Sequence, residues 1–366
     1  MITGTLNTGG YKFATTGNID AERLDMGGAG VEIAGDVAVR TMNVSGSDNL
    51  IKGNLMANGG GAAFKQGSLE VGGNAEFNNG FLQMQDTEDK LLVKGNLTLG
   101  ETYGSSKGEC LTNGTVEVKG NFTSNYKETG SNWYGYYETN MHKTIFSGEK
   151  TQKISFKEPS QVNRFSENLE FQNNAINFAT PLYSLTVNND MTISKTEDLQ
   201  IVTQLIINNG SFVTTGNVEA NMLNINNTKE NQIQGNLNMT GTVVFKKGSL
   251  EVGGNAKFDN GYLQMKDTED KLVVNGNMTL GETYGGSESD FLTNGTVEVK
   301  GDFTSNYKET GSNWYGYYET NTHKTIFSGE KTQKISFKEA SQVNGFSDKL
   351  ELQNNDINFA TPIYMR

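Results

Sequence analysis

Residues 67–181 recur at 248–362 after a shift of 181 positions, with 95 of the 115 aligned residues identical and 20 different. Trp133, in GSNWYGYYETN, returns as Trp314 (314 − 133 = 181). A shorter unit repeats within the longer one. It is a Gly-Asn or Gly-Asp pair followed by alternating apolar residues, seen at Gly17, Gly35, Gly53, Gly73, Gly95 and Gly120. The intervals are 18, 18, 20, 22 and 25 residues. A unit this short cannot bury its own apolar face and must stack on its neighbours, which is the arrangement of a solenoid.

In LLVKGNLTLG, Leu91 or Leu92 with Val93 precedes the glycine, and Leu97 and Leu99 follow it. This reads as strand, sharp bend, strand, with period-2 alternation setting the buried face. In GNAEF, Ala75 and Phe77 are expected inside and Glu76 outside. The glycine is expected to supply a bend conformation closed to other residues, with the neighbouring Asn or Asp tolerating left-handed angles. Asn at equivalent bends of successive coils is expected to stack into a hydrogen-bonded ladder. NIDAERLDM looks helical, but its place in the register makes it a strand. Exchanges between the copies that keep bulk (Leu92/Val273, Leu97/Met278, Phe81/Tyr262, Phe171/Leu352) mark inward positions, whereas Glu76/Lys257, Gln85/Lys266 and Lys107/Glu288 mark solvent.

The fold class expected is therefore all-β, a right-handed parallel β-helix with coils of about 18–25 residues and projecting aromatic loops. It forms one continuous solenoid over residues 1–366, duplicated internally. With 44 glycines, three prolines and 34% hydrophobic residues, the composition suits many tight turns around a thin core. LNTGGYKFATTGNIDA resembles IINNGSFVTTGNVEA with Gly17 opposite Gly216, an offset of 199. The first copy thus carries about one extra coil, placed between Gly17 and Gly53. TPIYMR stops where TPLYSLTV continues, leaving an open edge that invites end-to-end self-association.

The net charge of −12 argues against nucleic acid, which requires clustered Lys and Arg. No stretch approaches the ~18 apolar residues of a membrane span, and MITGTLNTGG lacks the basic start and apolar run of a signal peptide. Either a cytosolic protein or an excised or processed piece is the expectation, with the second favoured.

One stretch departs from the coil pattern: NYKETGSNWYGYYETNMHKT, at 125–144 and again at 306–325. It holds both tryptophans, and between residues 122 and 158 only Met141/Thr322 differs. Flat rings with polar edges suit sugar faces. Trp133, Tyr134, Tyr136 and Tyr137 are candidate ligand-binding residues, with Trp314, Tyr315, Tyr317 and Tyr318 in the second copy; Asn132, Glu138 and Asn140 stand ready for hydroxyls. The competing reading has the same aromatics packed on the solenoid flank. Asp86, Glu88 and Asp89, with Asp267, Glu269 and Asp270, are weak calcium candidates whose spacing fits a solvated turn better than a metal loop. His142 and His323 each stand alone in sequence. Cys110, the only cysteine, aligns with Phe291, as an apolar site would. GGAG and NGGG lack a phosphate-loop lysine. No cofactor is expected.

GNLTLxxxxGTVEVKGNFTS, HKTIFSGEKTQKISF and FSENLEFQNN resemble the repetitive β-solenoid regions of large secreted or surface proteins of anaerobic bacteria, of the filamentous haemagglutinin and adhesin type. The resemblance implies a right-handed parallel β-helix, an extracellular or cell-surface location, and a role in adhesion, a surface layer or a fibre. The expected partner is a polysaccharide or another ligand on a host or cell surface. A self-assembling filament subunit is one alternative. A polysaccharide lyase or hydrolase is another, although an active site assembled from unlike coils would not be expected in duplicate.

Overall fold

A computed structural model of the chain describes residues 2–28, 30–127, 133–173, 175–194, 198–308 and 314–365. The chain divides into two compact units, Met1–Tyr183 and Ser184–Arg366. Among the described residues there is strand but no helix, and every strand-to-strand ladder is parallel. Each unit is a parallel β-solenoid. No helix is long and apolar enough to cross a membrane.

In the first unit sixteen described strands form one sheet. Equivalent residues stand above one another along it: Ile19, Val37, Leu55, Ala75, Leu97, Phe122 and Ile154 pair in turn. All seven are buried. The second unit contains an 11-stranded and an 8-stranded sheet, with Val218, Leu237, Ala256, Met278, Phe303 and Ile335 forming the corresponding buried column. Three steps lead from Ile19 to Ala75 but only two from Val218 to Ala256, so the extra coil of the first unit lies between residues 19 and 75. NIDAERLDM is strand, Ile19–Met26. Coil lengths exceed the expected 25 where the aromatic stretch is inserted: Phe122 pairs with Ile154, 32 residues on (154 − 122).

Period-2 alternation holds. Ala75 and Phe77 are buried with Glu76 between them. The inward pair of Lys90–Val93 is Leu91 and Val93, leaving Leu92 on the outer face. Phe81, Tyr262, Phe171 and Leu352 also lie at least partly exposed, so of the four bulk-preserving exchanges only Leu97/Met278 is a core exchange. Conserved bulk failed as an indicator of burial because outer-face residues pack on their neighbours in the coils above and below.

The Gly-Asn motif forms a ladder of a different kind from stacked amides. Asn18 Oδ1 accepts the backbone N–H of Asp36 at 2.9 Å; Asp36 Oδ1 accepts Asn54 N, and Asn54 Oδ1 accepts Asn74 N, at 2.7 and 2.8 Å. Asn74, Asn96 and Asn121 continue it to Lys153 N, each link 2.8 Å. The second unit repeats it from Asn217 through Asn236, Asn255, Asn277 and Asp302 to Lys334 N. Each side chain thus satisfies an amide at the bend of the next coil, a group the sheet ladder leaves unpaired. The glycine is required for space and not for its dihedral freedom: Gly53, Gly73 and Gly95 do not have positive φ. An added β-carbon there would stand 2.5 Å from Asp36, Asn54 and Asn74 Oδ1 respectively.

Candidate ligand-binding site

The described part of the aromatic stretch does not project as a free loop. Tyr134 and Ser105 exchange backbone hydrogen bonds at 2.8 and 2.9 Å, and Glu138 and Tyr137 bridge to Leu111 and Arg164. The chain is laid into the coil as an irregular strand. Gly135 permits this, since a β-carbon would lie 2.6 Å from the Tyr126 ring and 2.9 Å from Asn163 Oδ1. Residues 128–132 and 309–313, and with them the Asn132 candidate, lie outside the described residues.

Alternation then sorts the four candidate aromatics. Tyr136 and Tyr317 point inward and are fully buried. The Tyr136 ring sits 5.0 Å from Phe122 and 5.8 Å from Phe165, filling the interior of the long coil. Its hydroxyl meets Thr144 Oγ1 at 2.8 Å, and Tyr317 meets Thr325 at 2.7 Å. Burial holds both phenols well above the usual tyrosine range, so they stay protonated. Tyr136 and Tyr317 are anchors, and their candidacy as ligand contacts does not survive this burial.

Trp133, Tyr134 and Tyr137 remain at the surface. Trp133 is 37% exposed, and Tyr134 and Tyr137 are half-buried with ring centroids 5.1 Å apart. The indole rests on Gly104, whose φ of 143° and lack of a β-carbon let Trp133 Nε1 approach. Tyr126 donates its hydroxyl to the Trp133 carbonyl at 2.8 Å. The second unit repeats the arrangement: Trp314, Tyr315 and Tyr318 are half-buried, and Tyr307 donates to the Trp314 carbonyl at 2.7 Å. These are rigid aromatic surfaces on braced backbone.

Behind them lies a buried polar network that the sequence did not reveal. Glu138 continues the column Met84–Leu111 and is 1% exposed. Thr144 donates to its Oε1 and Ser166 N to its Oε2, the latter at 2.7 Å. His142 Nδ1 faces the Asn113 carbonyl at 2.6 Å and therefore carries the proton, leaving Nε2 as a bare acceptor 3.7 Å from Glu138 Oε1. No hydrogen-bond donor meets that Nε2, nor the Nε2 of His323. Burial pushes His323 down to about 4. Two expectations change: His142 and His323 do not stand alone but lie beside the carboxylates four residues before them, without a hydrogen bond to them, and Glu138 is unavailable to a ligand hydroxyl. Period-2 spacing from Tyr136 was the available signal for an inward Glu138. Asn140 is exposed.

The acidic turns are structural. Asp89 is buried and accepts three backbone amides, from Gln85 and Asp86 at 2.9 and 3.0 Å on one oxygen and from Gly67 at 3.2 Å on the other. Asp270 repeats this with Lys266, Asp267 and Gly248. Asp86 and Asp267 are half-buried, and Glu88 and Glu269 are exposed. Among the described residues no three acidic, histidine or cysteine side chains converge to hold a metal. Cys110 is buried, with its thiol donating to the Lys107 carbonyl at 3.3 Å, and Phe291 stacks on Tyr262 at 3.8 Å. A separate concavity of about 730 Å³ in the second unit is lined by Asn277, Lys300, Asp302, Glu330 and Thr332 among others, none aromatic.

No protein family matches the chain, and neither curated proteins nor solved structures give a match.

Proposed function

We propose that this is a non-catalytic, carbohydrate-binding structural module of a surface or secreted repeat protein. Its two sites are centred on Trp133, Tyr134 and Tyr137 and on Trp314, Tyr315 and Tyr318. The observation that carries the reading is the sorting of the aromatics. Folding buries Tyr136 completely yet leaves Trp133, three residues away, 37% exposed on braced backbone, and the second unit places its aromatics in the same order. A large rigid ring held half in water costs little further ordering entropy when it meets an apolar sugar face. Two weak sites gain avidity on a repeating polymer. The adhesive role and the location outside the cell come from the resemblance of the repeats and belong to this proposal.

The test is retention on a panel of insoluble cell-wall and host polysaccharides. Retention is expected on at least one polymer, reduced by Trp133→Ala or Trp314→Ala alone and abolished by both. Equal retention of the double variant refutes the reading, and release of soluble sugar replaces it with a polysaccharide-degrading enzyme.

A further inference from the structure

We infer that the two aromatic sites differ in ligand charge, the first taking a carboxylate-bearing sugar and the second a neutral one; this rests on the reading of the aromatics as sugar platforms. The backbone and rings are duplicated, but their surroundings are not. Of the seven positions 104–110, which include the strand paired to Tyr134, five differ from 285–291, although only 20 of 115 differ across the repeat. Gly108 lies against the Tyr134 ring, where a β-carbon would stand 3.0 Å from it, and its counterpart is Ser289.

The decisive difference is Arg164, which becomes Gly345. Arg164 follows the coil carrying Tyr137, bridges to it through backbone, and lays its guanidinium over the Tyr137 ring at 5.6 Å. Its Nε donates to the Gln161 carbonyl at 3.2 Å. Arg23 and Arg40 each pair with a carboxylate, at 2.8 and 3.1 Å, whereas Arg164 has none among the described residues.

The contact with Tyr137 and the bond at Nε hold the guanidinium, and neither uses its terminal amino groups. Planar, paired N–H donors match a carboxylate in bidentate fashion. Lys107 and Glu109 flank Gly108, the residue that lies against the Tyr134 ring. The second site has Glu288 and Asp290 at those two positions, and its Lys266 is bound to Asp290 at 2.7 Å. With the flanking Glu167, and Asp348 and Lys349 of the second copy, included, the first surroundings sum to 0 (Lys107, Arg164, Glu109, Glu167) and the second to −1 (Lys266, Lys349, Glu288, Asp290, Asp348), so the first is the less negative. A uronate would be drawn to the first and repelled by the second.

Because the chain has two tryptophans, one in each site, single Trp→Phe variants report each site separately. Trp314→Phe leaves Trp133 as the reporter, and Trp133→Phe leaves Trp314. Fluorescence titrations would use oligosaccharides of polygalacturonate, alginate and hyaluronate, each paired with its carboxyl-reduced form. For at least one pair, Trp133 should report about tenfold tighter binding of the acid. Arg164→Gly, in the Trp314→Phe background, should abolish that preference while keeping the neutral affinity. Trp314 should bind the reduced form at least as well as the acid. Saturable binding of both forms with equal affinity at both sites overturns this inference and leaves the platform reading standing. Absence of any response at either tryptophan overturns the inference, and the polysaccharide panel then judges the platform independently. A preference that survives Arg164→Gly also overturns it.

Discussion

Substituting alanine for glycine at two equivalent points of the repeat should have opposite effects. Gly17 and Gly73 both open a Gly-Asn bend, and neither has positive φ. A β-carbon at Gly17 meets nothing within 4 Å. Gly17→Ala should therefore stabilise by about 0.4–1 kcal/mol through the unfolded chain alone. At Gly73 the same atom would stand 2.5 Å from Asn54 Oδ1 and 2.9 Å from the Gly53 carbonyl oxygen, where ordinary contact begins at 3.4 Å. Asn54 must retreat by roughly 0.9 Å, breaking its 2.8 Å bond to Asn74 N. Losing that bond costs about 1 kcal/mol, and the local displacement costs about 1–3 kcal/mol. After the unfolded-state gain, Gly73→Ala should destabilise by about 1–3.5 kcal/mol. Asn54→Ala removes the obstructing oxygen at a cost of about 1–2 kcal/mol for its two side-chain bonds, from Asn74 N to Oδ1 and from Nδ2 to Asp36 Oδ1. The double variant should then fall short of additivity by about 1–2 kcal/mol. Equilibrium urea unfolding of the full chain followed by circular dichroism reads these differences as midpoint shifts at common slope. Stabilisation by Gly73→Ala, or strict additivity with Asn54→Ala, would refute the steric account of the motif.

Three further outcomes follow from the buried polar groups. His323 is held down to about 4 from 6.5 by burial, so its folded form resists protonation; stability is full above pH 6.5 and falls as the pH drops towards 4. Between pH 7 and 4.5 the loss from this group is about 2–3 kcal/mol, and the difference in unfolding midpoints between the wild type and His323→Gln across that range measures it. Asp89→Ala strands three backbone amides and should cost about 2–4 kcal/mol by urea unfolding, with added calcium giving no recovery. Tyr136→Phe removes the bond to Thr144 and should cost about 1 kcal/mol without altering polysaccharide retention, in contrast to Trp133→Ala, which reverses that pattern.

The coil architecture was legible because stacking imposes a regular spacing on the glycines and strict parity on the apolar residues. Ile19–Met26 was assigned to strand against its helical look on register alone, and Ala75 and Phe77 fell inside as parity required. What a single coil could not show was the neighbour above or below it. Gly73 looked like a dihedral requirement because the oxygen that excludes its side chain belongs to Asn54, nineteen residues earlier (73 − 54). Leu92 looked like core because its bulk is kept, when parity with Leu91 and Val93 turns it outward. In the aromatic stretch the division of the rings into anchors and surface depends on backbone bridges to Ser105, Leu111 and Arg164. His142 and Glu138 lie four residues apart; the column Met84–Leu111–Glu138 places the carboxylate inside, and the Asn113 carbonyl of the preceding coil holds the imidazole there. Asp89 seemed a metal candidate until Gly67, from the preceding coil, occupied its second oxygen.

The most direct measurement of the central claim is the intrinsic fluorescence of the full chain, since both tryptophans lie in the proposed sites. The account predicts a red-shifted emission that blue-shifts or quenches saturably with at least one cell-wall or host glycan, with two sites per chain. A blue emission, unchanged by every glycan of the panel, would contradict it and leave both aromatic clusters as packing alone.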